Sequence, residues 1–182
     1  MKFLRCLALF FACANAQAAL SVTDDSGASV KLRAPAQRVV SLAPHVIELL
    51  FAVGGGSRVA GAVTYSDYPK EAQSIPRIGD NKALDLERIA ALKPDLIVAW
   101  RHGSAERQMD RLKALGIPIF FYSEPKHLDD IASDIDKLGV LLGTQAKAHA
   151  VASAFTADIA RLRAKYAQRP PSAYSIRSRT IR

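Results

Sequence analysis

Cysteine is nearly missing from this chain. Its two cysteines, Cys6 and Cys13, both fall within residues 1–18. Beyond that point there is no thiol, which excludes a disulfide framework and a cysteine nucleophile from the remainder. Histidine is scarce and scattered: His45, His102, His127 and His149 show no HxxxH or HExxH spacing. A zinc site of the usual kind is therefore not expected. No GxSxG elbow is present, so an α/β enzyme built on a serine nucleophile is disfavoured. The glycine run Gly54-Gly55-Gly56 follows a helical pattern instead of opening one, and no Lys-Ser/Thr pair comes after it. A phosphate loop needs the reverse order, strand then glycines then helix. Aromatic residues make up 7% of the chain, with a single tryptophan, Trp100. No repeat of fixed period appears.

Long apolar runs are also lacking, apart from the start. Lys2 and Arg5 precede the run Leu7 to Ala14, which is too short to span a bilayer. Ala16-Gln17-Ala18 then fits a small-x-small cleavage pattern. Residues 1–18 read as a secretory signal, which directs the rest of the chain out of the cytoplasm. Phe10-Phe11-Ala12-Cys13 is a poor lipoprotein box. The formal charge of +8 suggests nucleic acid at first sight. Setting aside Lys2 and Arg5 leaves +6, and setting aside Arg177, Arg179 and Arg182 leaves +3. No basic stripe remains to follow a phosphate backbone, so nucleic acid is not an expected partner.

What is present is a core and an order. With 182 residues, 49% of them apolar, one domain or one and a fragment is expected. Leu20–Asp24 and Ser29–Leu32 alternate around Asp25-Ser26-Gly27, the pattern of a hairpin. Arg38–Leu42 is a buried strand, and Ala43-Pro44 opens a helix carrying Val46, Ile47, Leu49, Leu50 and Val53 inward. Arg58–Val63 is a second strand, followed by the loop Thr64–Pro69. Leu84–Arg101 reads as helix, turn and buried strand. Asp85 caps the helix, Leu86, Ile89, Ala90 and Lys93 follow helical spacing, and Lys93-Pro94-Asp95 stops it. Leu96–Ala99 is apolar throughout, as in a strand covered on both faces. Ser104 is expected to cap a helix reaching Leu115 with Met109, Leu112 and Leu115 inward. Ile117–Tyr122 is another strand, Leu128–Leu142 an amphipathic helix, and Gln145–Gln168 one long helix. Strand and helix alternate, so the fold is α/β with a Rossmann-like parallel sheet flanked by helices. Ligands in such sheets sit at the carboxyl ends of the strands. Trp100 and Arg101 stand at one such end, and Pro44 and His45 begin the helix that leaves another. His45 is the histidine best placed to ligate a haem or a metal.

Three blocks carry a resemblance: RVVSLAPHVIELLFAVG, VTYSDYPKEAQSIP and LERIAALKPDLIVAWRHGSAERQMDRLKALGIPIF. Together, over about residues 38–171, they resemble the periplasmic substrate-binding proteins whose two lobes are joined by one long helix. The YSDYP and AWR-x-G-x-AERQ elements resemble most the branch that binds vitamin B12 for an ABC importer. Haem, siderophore and metal receptors share the LERI and KPDLI pattern. The resemblance implies a protein that captures cobalamin without acting on it, hence no enzyme and no covalent cofactor, and delivers it as a monomer to the permease. By the same resemblance Tyr65 packs on the corrin ring, Trp100 lines the cleft, and Glu87 pairs with arginines of the permease. An aromatic face suits a flat macrocycle; an exposed carboxylate can set register against a basic socket. Asp67 either accepts a hydrogen bond from ligand amides or caps its own turn, with the cap favoured. A haem or iron-siderophore receptor of the same fold remains the alternative.

The chain departs from the pattern in two places. Asn81 stands where the near relatives have a second cleft tryptophan. The family's second lobe is not represented. Residues 19–142 are expected to form the first lobe, 143–169 the interlobe helix, and 170–182 an aberrant, disordered tail. Ser172–Arg179 leaves the family pattern, and with permitted codons a one-nucleotide shift can restore a strand-like sequence there. A frameshifted or truncated gene product is the expectation, and a cleft with one wall would hold its ligand more weakly than a closed one.

Overall fold

In the computed structural model, which describes residues 19–80, 82–101 and 108–169, the buried apolar runs become a four-stranded sheet. A separate hairpin precedes it, β1 (Leu20–Thr23) paired antiparallel with β2 (Ser29–Leu32). The sheet consists of β3 (Val39–Ser41), β4 (Val59–Ala62), β5 (Leu96–Trp100) and β6 (Ile119–Tyr122), all parallel, in the order β4-β3-β5-β6. Val39, Val40 and Ser41 lie opposite Leu96, Ile97 and Val98. The chain moves outward from β3 to β4, then crosses to the other side for β5. That reversal places the switch point of the sheet at the carboxyl ends of β3 and β5, the usual ligand position in such sheets.

The β5 run explains how both faces are covered. Leu96 and Val98 join a core with Val46, Ile47, Leu50, Phe120 and Leu138. Ile97 and Ala99 join a second core with Val40, Ile78, Ile89 and Leu112. Successive strand residues point to opposite faces, so an unbroken apolar run serves both. The first core is covered by α1 (Pro44–Ala52) and α4 (Leu128–Leu142). The second is covered by α2 (Leu86–Ala91) and α3 (Met109–Ala114). The long helix α5 (Gln145–Tyr166) packs on α4 through Ala148 and Ala152. A Cβ added at Gly139 would come 2.3 Å from that of Ala148, so only glycine permits this approach. Beyond this seam α5 turns outward, leaving Leu162 and Tyr166 exposed.

Several sequence expectations change in detail. Asp85 caps α2 as expected, its carboxylate accepting from the Arg88 N–H at 2.9 Å. The helix is short, however, and Ala90 and Lys93 are exposed. Lys93 ends it by taking φ 46, one step before the proline. Asp95 beyond it accepts from the N–H groups of Gln37 and Arg38, tying the turn to β3. Arg58 belongs to a single 3-10 turn, Gly56–Arg58, not to β4. Its guanidinium donates to the carbonyls of Ala36 and Leu142, which explains why it leaves the strand. Leu115 is exposed at the end of α3, because the helix stops at Ala114 and Gly116 takes φ 69. The signal at 1–18, Asn81, the Ser104 cap, His102 and the tail at 170–182 lie outside the described residues. No described helix is long and apolar enough to cross a membrane.

Candidate functional site

The carboxyl rim of the sheet collects the aromatic residues. Trp100 ends β5 and Tyr122 ends β6, and register sets them opposite each other. His45 enters from the first turn of α1. Its ring centroid is 5.5 Å from that of Trp100, edge-on at 89°, and 5.5 Å from that of Tyr122 at 50°. Edge-to-face geometry at this distance is favourable for aromatic pairs. The helix start is placed by β3: the Leu42 N–H donates to the Val98 carbonyl at 2.9 Å, and Ser41 Oγ donates to the Ala43 carbonyl at 3.0 Å. Pro44, at the head of α1, is exposed beside His45.

The electrostatics of this cluster favour neutral groups. Burial lowers the His45 pKa below its ordinary value, with Glu48 opposing more weakly, so the imidazole is neutral at pH 7. Burial raises the Tyr122 phenol, helped by the carboxylates of Asp134, Asp25 and Asp130. Two of those carboxylates, Asp25 and Asp134, belong to a linked group behind the rim. Asp25, in the β1–β2 turn, accepts from the Ser123 N–H at 2.8 Å. Lys137 Nζ bridges Asp25 Oδ1 at 2.9 Å and Asp134 Oδ1 at 2.7 Å. The hairpin is thereby locked to the end of β6.

Across the crevice, the loop after β4 carries Tyr65 and Tyr68, which are 81% and 70% exposed. Both rings stand free, and Tyr65 has φ 65, in the left-handed region. β4 and β5 flank β3 on opposite sides, so the axes of the strands that lead to Tyr65 and to Trp100 lie about 10 Å apart. Asp67 does not cap its turn as expected. Its carboxylate accepts from Arg77 Nη2 at 3.1 Å, and that ion pair takes the place of the cap.

The remaining candidates are dispersed. Arg101 is exposed, but its Nη1 donates to the Asp25 carbonyl at 3.3 Å, turning the guanidinium toward the hairpin. Glu87 is exposed in the first turn of α2, the helix that covers the opposite core. The structure therefore brings together Trp100 and His45, sets Tyr65 across from them, and leaves Glu87 apart. Tyr122 was missed by sequence reasoning. The rule that singled out Trp100, an aromatic residue closing a parallel strand, applies equally to Ile119–Tyr122. Among the described residues, no group of three or more His, Cys, Asp or Glu is arranged to hold a metal ion. Rings with neutral polar tips around a crevice are suited to contact and stacking.

Residues 39–179 match the profile of the family described as periplasmic binding protein. A vitamin B12-binding protein of Yersinia pestis (strain Pestoides F) is 46% identical over 136 residues, covering 75% of this chain and 48% of that protein. The crystal structure of the periplasmic vitamin B12 binding protein BtuF of Vibrio cholerae superposes with a TM-score of 0.71 at 36% identity, covering 75% of this chain and 53% of that one. A periplasmic heme binding protein from Pseudomonas aeruginosa superposes with a TM-score of 0.64 at 26% identity, over 73% and 50% of the two chains. These relatives are binding proteins, not enzymes, and the chain spans about half the length of the curated relatives it matches. The chain belongs to the periplasmic binding protein family.

Proposed function

We propose that this chain captures a corrinoid, cobalamin in the first instance, in the periplasm and presents it to the permease of an ABC importer. The observation that supports this reading is the pairing of His45 with Trp100 at the carboxyl rim of the sheet, backed by the buried ring of Tyr122, with Tyr65 exposed on the β4 side. Flat rings give a macrocycle area and dispersion without requiring charge on the ligand. In this reading residues 1–18 direct export, 19–142 form the binding lobe and 143–169 form the helix that would join it to a second lobe. Pro44 and Asp67 line the crevice, with Arg101 at its margin. Glu87, on the outer side of α2, docks against arginines of the permease and sets the lobe's orientation.

A second reading is haem or iron-siderophore capture at the same rim. It is favoured by His45, whose neutral imidazole carries one nitrogen lone pair that could ligate a metal centre. One titration separates the two. Trp100 is the only tryptophan, so its emission reports the site directly. Cyanocobalamin quenches it saturably in the first reading, and haemin competes weakly. Saturable quenching by haemin with none by cyanocobalamin would replace the corrinoid with haem.

A further inference from the structure

Arg77 sits beneath the loop that presents Tyr65. Its Nη1 donates to the carbonyl of Ala72 at 3.1 Å and to that of Ile75 at 3.4 Å. Its Nη2 donates to the carbonyl of Ser66 at 2.9 Å and to Asp67 Oδ1 at 3.1 Å. One guanidinium thus joins the tyrosine loop, the 3-10 turn Lys70–Ser74 and the segment after it. That segment is itself fixed to the sheet. The Ala62 N–H donates to the Pro76 carbonyl at 3.0 Å, the Ile78 N–H to the Ala62 carbonyl at 3.0 Å, and the Thr64 N–H to the Gly79 carbonyl at 2.9 Å.

The loop needs such an anchor. Tyr65 holds φ 65, a conformation that an aromatic residue keeps only when its surroundings impose it. Local side-chain bonds do not supply the constraint. Ser66 is 1% exposed, and among the described residues its hydroxyl has no hydrogen-bond partner, nor has the hydroxyl of Thr64. The ring of Tyr65 is almost free of packing. Gln73 Nε2 donates to the Asp67 carbonyl at 3.3 Å; the other side-chain bonds that bridge this turn to the next run through Arg77.

We infer that Arg77 is a positioning residue: by bridging Ser66, Asp67, Ala72 and Ile75 it holds Tyr65 left-handed and sets the angle at which the ring meets a flat macrocycle. The inference rests on the reading above, in which Tyr65 contacts a corrinoid. Arg77 touches no ligand; it acts by removing loop freedom that binding would otherwise have to restrict. Its planar fork of fixed donors serves several acceptors at once, which a lysine ammonium on a flexible stem does not.

A double-mutant cycle on the full chain tests this, read by cyanocobalamin quenching of Trp100 emission. Arg77→Gln is expected to weaken cyanocobalamin about fivefold and Arg77→Lys about threefold. In a Tyr65→Ala background each is expected to change affinity less than twofold, because the ring they position is gone. A purely structural role would give equal losses in both backgrounds and would overturn the inference. No loss from either Arg77 change, with Tyr65→Ala itself weakening binding, would overturn it as well. Should Tyr65→Ala alone leave affinity intact, the contact reading fails first and the positioning role falls with it. Arg77→Lys keeps the charge and a donor, so if Arg77→Gln does not fold, the lysine cycle decides the matter.

Discussion

The two sides of one sheet rim hold their aromatic residues by different means. On the β5–β6 side, Trp100 and Tyr122 are placed by strand register and wedged against His45, with Tyr122 buried. On the β4 side, Tyr65 and Tyr68 project from a loop whose shape depends on hydrogen bonds to Arg77. A ring on the first side contributes to the core as well as to the crevice. A ring on the second side contributes to the crevice alone. If both rings contact the ligand as proposed, stability and binding are separable at Tyr65 and inseparable at Trp100.

The sharpest way to break this contrast is to remove each ring. Trp100→Ala is expected to cost about 3 kcal/mol of stability, the low end for a large aromatic side chain that is only partly buried. Urea denaturation measures it, and a loss below about 1 kcal/mol would place Trp100 with the free rings. Asp134, behind the β6 rim, comes next. Burial raises its pKa to about 6 despite the hydrogen bond from Lys137, and Asp25 adds to the rise. The folded state thus holds this proton more tightly than the unfolded chain. The stabilisation is complete below about pH 3.8 and is lost as pH rises through about 6, amounting to about 2 to 3 kcal/mol. Urea midpoints measured from pH 4 to 7 should show this slope, and Asp134→Asn should flatten it. His45 works in the opposite sense. Its lowered pKa means that stability is lost as pH falls below about 6.5, and His45→Gln should remove that smaller fall.

Tyr65→Ala sharpens the contrast from the other side. Stability should move by no more than about 0.5 kcal/mol, since the ring is exposed. Cyanocobalamin affinity should fall about tenfold, equivalent to about 1.4 kcal/mol, as read by Trp100 quenching. The smallest effect is expected farthest from the rim. Glu87→Gln should slow association with the permease about threefold at low salt, with the difference shrinking as salt is added. Surface-plasmon kinetics against the permease in detergent would check it.

Much of this architecture is written in local pattern. Leu96–Ala99 announces a doubly covered strand, and the amphipathic pattern of Leu128–Leu142 announces α4, whose Ile135, Leu138 and Leu142 pack inward. Trp100 stood out because a polar mouth follows an apolar strand. The YSDYP motif pointed to Tyr65 through resemblance, since spacing alone does not distinguish a ligand contact from an ordinary loop tyrosine. Asp67 was misread because a turn aspartate usually bonds its own backbone, and nothing nearby announces an arginine ten residues away as the stronger partner. Nor does anything near Arg101 announce that its guanidinium donates to a carbonyl of the hairpin turn, far away in sequence.

Chain order and hydrophobic period were enough to specify which segments become strands and helices, because those depend on neighbours within a few residues. The blocks around Tyr65, Trp100 and Glu87 were enough to specify the family. Strand order was not specified in this way, and with it came the meeting of His45, Trp100 and Tyr122 and the bridging of two turns by Arg77. Those depend on groups brought together only when the parallel strands choose their neighbours, and burial then decides which of them are neutral, paired or free.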